Sequence, residues 1–82
     1  MVSVITTSTV SASNGQAVVS SVNIENHLDG YKPIGILGVN VSKSIPICDN
    51  YISNGYLYVQ FVHWYPSTYD VYATVNVLFE KE

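Results

Sequence analysis

The chain has no arginine and only three lysines. Charged residues make up 11% of its 82 residues, against about 25% in ordinary soluble domains. Binding nucleic acid takes a basic stripe that neutralises phosphates. Three scattered lysines and a net charge of −3 exclude that partner. Cysteine is nearly absent too. Cys48 stands alone, so no disulfide forms within the chain. No apolar run approaches the ~20 residues of a membrane span, and no basic then apolar leader opens the chain. Membrane insertion is not expected.

Metal chemistry lacks its spacing. His27, Asp29, Cys48, Asp49 and His63 never fall at the close intervals of a zinc site. No metal and no cofactor is expected. Cys48 has no base beside it in sequence to raise its thiolate fraction, so it reads as a buried, inert thiol. Glycoside hydrolysis takes two acids about 5–10 Å apart, one of them in an apolar pocket. Nothing in the sequence brings Asp49 and Asp70 together, and no catalytic residue is assigned. Asn40-Val41-Ser42 matches a glycosylation triplet, but Val41 reads as strand.

Apolar residues reach 48%. Val, Ile, Tyr and Thr dominate in runs of period two between turn residues, and no helical period appears. The expected fold is all-β: one domain, residues 1–82, a small antiparallel β-sandwich or flattened barrel of about six strands. Strand one runs from Val2 to Val10, with Val2, Val4 and Val10 on one face. Asn14-Gly15 turns into strand two, Ala17 to Asn26. Strand three, Pro33 to Val41, is apolar on both faces early on and is expected to be covered on both sides. Gly35 and Gly38 mark a bulge or a close backbone approach. Strand four, Ile45 to Ser53, carries Pro46, which belongs at an edge or a strand start. Asn54-Gly55 is a type I′ hairpin signal. Strand five, Tyr56 to His63, and strand six, Val71 to Phe79, alternate cleanly and are expected to pair. The inward set is Val18, Val22, Ile24, Leu37, Val39, Leu57, Val59, Phe61, Val71, Val75 and Val77. A core this small is marginal without help, and partner subunits are the help left by elimination.

The segment Gly30-Tyr31-Lys32-Pro33-Ile34-Gly35-Ile36-Leu37-Gly38 resembles a motif in C-terminal β-domains of tailed-phage and prophage tail fibres and receptor-binding proteins. In those domains a hairpin and a terminal strand come after the motif. The Asn54-Gly55 hairpin and the ending Tyr72 to Glu82 are similar to them. The resemblance implies a homotrimeric fibre-tip domain on a virion or otherwise extracellular. It implies assembly of the trimer, recognition of a host-surface glycan, or both. A purely structural trimerisation or capping module is one alternative, and a non-phage secreted β-domain another. No enzymatic activity is implied.

The aromatic residues are the candidate chemistry. Their rings bring large contact area with a polar tip. Candidate ligand-binding residues are Trp64, Tyr65 and Tyr69 in the loop after strand five, with Tyr56. Candidate subunit-interface residues are Tyr58, Tyr72, Ile34 and Ile36. If strands five and six pair, Tyr72 neighbours Tyr56 and Tyr58. Strand tyrosines with apolar neighbours favour packing, whereas the loop aromatics stand open to either role.

Overall fold

Thr7 is the point where the first strand changes sheet. Its N–H donates to the Ala73 carbonyl at 2.8 Å, and its Oγ1 accepts the Ala73 N–H at 3.0 Å. The hydroxyl stands in for the carbonyl of the next ladder rung, so the buried Thr7 is satisfied where the strand bends. A computed structural model describes residues 1–13, 15–43, 47–63 and 68–82, with Cys48 and His63 described by backbone alone. Within it the all-β expectation holds, but with eight strands rather than six. They are β1 (Val2–Thr6), β2 (Val10–Ala12), β3 (Gln16–Asn23), β4 (Tyr31–Val41), β5 (Ile47–Ser53), β6 (Tyr56–His63), β7 (Tyr69–Val71) and β8 (Ala73–Lys81).

The strands form three antiparallel sheets: β1-β8-β4, the two-stranded β2-β7, and β3-β6-β5. They are called sheets A, B and C below. The expected strand one is β1 plus β2, and the expected strand six is β7 plus β8. Both break at the same level. Val2 to Thr6 pair with Leu78 to Thr74, and Val10 to Ala12 pair with Val71 to Tyr69. Tyr72 is the joint on the other side, its backbone exchanging bonds with Ser42 at 2.9 and 3.0 Å. One bent ribbon therefore edges sheet A and continues as sheet B, in a molecule measuring 46 × 19 × 16 Å.

One core joins the inner faces. Ile5, Ala73, Val75, Val77 and Phe79 come from sheet A, and Leu57, Val59 and Phe61 from sheet C. Val18, Val22, Ile47 and Ile52 pack on them from β3 and β5. Ser20 is buried on the same face as Val18 and Val22, and its Oγ donates to the Ser8 carbonyl. The expected pairing of Tyr56–His63 with the last strand is not made. β6 lies between β3 and β5, and β8 between β1 and β4.

β4 corrects the expected core. Its register against β8 slips between Pro33 and Gly35 and again between Ile36 and Gly38. Ile34 and Leu37 are the extra residues. A bulge places two residues against one and reverses the alternation beyond it. Pro33, Ile36, Val39 and Val41 thus oppose Phe79, Val77, Val75 and Ala73. Leu37, expected inside, is 59% exposed, and Ile34 is 50% exposed. Only one face of β4 is covered, not two. Ile36, expected at a subunit interface, packs against the core. In β1, which the expected inward set left out, Ile5 faces in, while Val2 and Val4 face out. Ile45 and Pro46 lie outside the described residues.

The bulges separate two adjacent apolar positions cleanly. Ile36→Ala should cost about 1–3 kcal/mol of unfolding free energy. Leu37→Ala should stay within roughly 0.5 kcal/mol. Urea denaturation of both variants measures the difference, and equal costs would refute the assigned register.

Candidate functional site

The β5–β6 hairpin is the best-specified local element. Asn54 has φ 50° and Gly55 φ 78°, the two left-handed residues of a type I′ turn. A two-residue turn fixes register. Ser53 opposes Tyr56, Ile52 opposes Leu57, and Tyr51 opposes Tyr58. Alternation then sends Ile52, Leu57 and Val59 inward and Tyr51, Tyr56 and Tyr58 outward. A further register slip, at Cys48, lets Ile47 face inward opposite Phe61 while Asp49 faces outward opposite Gln60. The Ile24 N–H donates to the Gly55 carbonyl at 2.8 Å and ties the turn to the end of β3.

The outward face of sheet C is thus a tyrosine row. Tyr58 is central. Its ring centroid lies 5.0 Å from that of Tyr51 and 6.1 Å from that of Tyr56, with interplanar angles of 25° and 29°. Such pairs contribute about 0.5–1.5 kcal/mol each beyond burial. Tyr51 and Tyr56 remain 44% and 40% exposed, and Tyr58 is half-buried between them. Because the rings stack on one another, the row presents edges, hydroxyls and the two outer ring faces. None of the three hydroxyls has a hydrogen-bond partner among the described residues.

Polar residues frame the row at fixed register. β3 sets Ser21 beside Tyr58 and Asn23 beside Tyr56. β5 sets Ser53 beside Tyr56 and Asp49 beside Gln60. The Asn23 Oδ1 accepts the Glu25 N–H at 3.0 Å, which holds the side chain in place. Ser53 also lines an open groove of about 620 Å³ with Glu25, Lys32, Ile52 and Glu82. Sheet C carries no lysine. Lys32 and Lys81 lie on β4 and β8, and Lys43 lies just beyond β4. The face is therefore neutral to slightly acidic.

The sequence-predicted residues do not converge. Trp64 and Tyr65 lie outside the described residues. Tyr69 is on β7 opposite Ala12, beyond the far end of β6 from Tyr56. The length of β6 alone separates those ends by about 23 Å. Tyr72 sits at the β7–β8 joint; with β6 and β8 in different sheets, it does not neighbour Tyr56 and Tyr58 through the expected pairing. Tyr51 is absent from the residues expected at the site, although counting back from Asn54-Gly55 places it opposite Tyr58. Asp49 and Asp70 stand in different sheets, and the Asp70 Oδ1 accepts the Ser11 hydroxyl at 3.0 Å. Among the described residues no three His, Cys, Asp or Glu side chains gather as metal ligands. Comparison with protein-family models, curated proteins and solved structures finds no match.

Gly55 holds the row in place. A Cβ there would sit 2.8 Å from the Glu25 Cβ, and its φ of 78° strains any L side chain. Gly55→Ala should cost about 1–2 kcal/mol. In a domain of this size the melting temperature should fall by roughly 4–8 °C per kcal/mol. Differential scanning calorimetry checks this; an unchanged melting temperature would contradict the type I′ turn.

Proposed function

We propose that the chain is a recognition domain for neutral cell-surface glycan, of the kind that ends a tail fibre, and that sheet C carries the contact surface. The observation behind this is the Tyr51–Tyr58–Tyr56 row, whose hydroxyls have no hydrogen-bond partner among the described residues. A sugar offers a face of C–H groups and a rim of hydroxyls. The outer faces of Tyr51 and Tyr56 suit the first. The tyrosine hydroxyls, Ser21, Asn23, Ser53 and Gln60 suit the second. Tyrosine brings this area at low entropic cost, as in other rigid recognition surfaces. With no lysine on the sheet and Asp49 at its border, a carboxylated or sulfated glycan finds no counter-charge on the sheet itself, and Lys32 in the adjoining groove stands with Glu25 and Glu82. The reading is binding without catalysis, at an extracellular or virion surface.

A glycan array of the purified domain, repeated with variants, tests it. Neutral glycans should be retained, and Tyr51→Ala and Tyr58→Ala should each weaken binding about tenfold, or 1.4 kcal/mol. Circular dichroism should show both variants folded. Binding that survives both but is lost in Trp64→Ala would move the site to the loop beyond β6. An array without retained glycans would remove the reading.

Assembly is the second reading, favoured by the outer face of sheet A. Val2, Val4, Ile34 and Leu37 are all at least half exposed there, with Leu78 between them in the register. Contiguous apolar surface of this kind marks contact sites. On this second reading, sedimentation equilibrium at micromolar concentration gives a multiple of the 9.0 kDa chain mass; on the first it gives that mass itself. A stable monomer there argues against constitutive assembly through this face.

A further inference from the structure

We propose that β1 is an open edge and that β1 of a second copy occupies it, antiparallel and centred on Val4. Met1 and Phe79 exchange both backbone bonds, at 3.0 and 2.7 Å, and the Thr7 N–H reaches the Ala73 carbonyl. Bonded pairs alternate along an antiparallel ladder. The odd residues of β1 therefore bond β8, and Val2, Val4 and Thr6 turn their N–H and C=O groups to the other side. No strand among the described residues lies there, since β1 pairs with β8 alone.

The other outer strands of sheets A and C are defended. β4 has Lys32, Pro33 and two register slips. β5 has a slip and Asp49. β3 is covered in part by Ser8, whose N–H and Oγ both reach the Ser21 carbonyl. Charge, proline, bulges and covering segments are the usual means of blocking an edge. β1 reads Val-Ser-Val-Ile-Thr, with no charge, proline or register slip, and His27 meets it at the Ser3 side chain, Oγ to Nε2 2.9 Å, on the face opposite Val2 and Val4. Val2 and Val4 are 52% and 61% exposed.

A second copy is the occupant that fits. The free groups lie symmetrically about Val4, so a two-fold axis there sets Val4 against Val4 and Val2 against Thr6. Each of these pairs then exchanges both bonds. Sliding the register by two residues either way leaves one bonded pair fewer. With no charged side chain on β1, none opposes its own copy across the axis. Such an edge buries less than the ~800 Å² per partner of a standard interface, so the dimer is weak, with Kd on the order of 100 μM. The pairing is independent of the tyrosine-row reading, because β1 and the row belong to different sheets.

Analytical ultracentrifugation of the chain from about 10 μM to 1 mM tests the proposal. The mass should climb from 9.0 kDa toward twice that value. Val4→Lys should raise Kd roughly tenfold or more by opposing like charges on the axis. Val4→Pro should do the same while keeping the β1–β8 ladder, since the N–H it removes faces outward. Circular dichroism confirms folding, and if the proline variant unfolds, the lysine variant carries the comparison. Register is read by cross-linking in a Cys48→Ser background. Bonded antiparallel partners have Cα atoms about 5.5 Å apart, within disulfide reach. Val4→Cys should oxidise to a covalent dimer, and Val2→Cys, which faces Thr6, should not. A monomer at every concentration, a trimer, a dimer indifferent to Val4→Lys, or equal cross-linking at both positions would overturn the proposal.

Discussion

Side-chain alternation is the constraint on which the rest depends. Sheets A and C each cover one face, so a slip of a single residue exchanges core for surface. The chain has no disulfide to hold it in register. Local geometry does that work. Asn54 and Gly55 set the count for β5 and β6. The slips at Ile34 and Leu37 reset it along β4, and the slip at Cys48 resets it along β5. Thr7 and Tyr72 reset it where the ribbon leaves sheet A. Each correction returns an apolar side chain to the single core.

Much of this was legible in the sequence. Asn54-Gly55 announced its turn, and the interior glycines of β4 announced irregular pairing. In β6 and β8, where alternation is unbroken, the sequence pattern and the buried face agree. The failures lie where alternation is broken. Glycine marks a bulge but does not say which neighbour becomes the extra residue, so alternation alone puts Leu37 inside and Ile36 at an interface. Val2 and Val4 share a face by alternation, but the sequence does not mark the opposite face, with Ile5 and Thr7, as the buried one. Sequential strands often pair, and β6 and β8 do not, because a crossing between sheets leaves no local mark. For the site, Tyr56 and Tyr58 were legible as a shared face. Tyr51 was legible only by counting register through the turn.

The two sheets divide the surface chemistry. Sheet A holds two of the lysines directly and the third just beyond β4, together with the most exposed aliphatic side chains. Sheet C holds the stacked tyrosines with neutral polar neighbours. A chain with so little charge cannot rely on long-range attraction to find partners. Contact on either side then depends on shape, ring surfaces and short hydrogen bonds, and is little affected by salt.

Met1 is bonded to Phe79, and the Glu82 N–H to the Gly30 carbonyl, so both ends of the chain leave the rod at one pole. That placement has a mechanical meaning. Tension between the two ends falls on the Met1–Phe79 rung first and opens β1 from β8 one rung at a time, as a zipper opens. Tension entering through one end and leaving through the outer surface loads many rungs together. The same ladder is weak in the first direction and strong in the second.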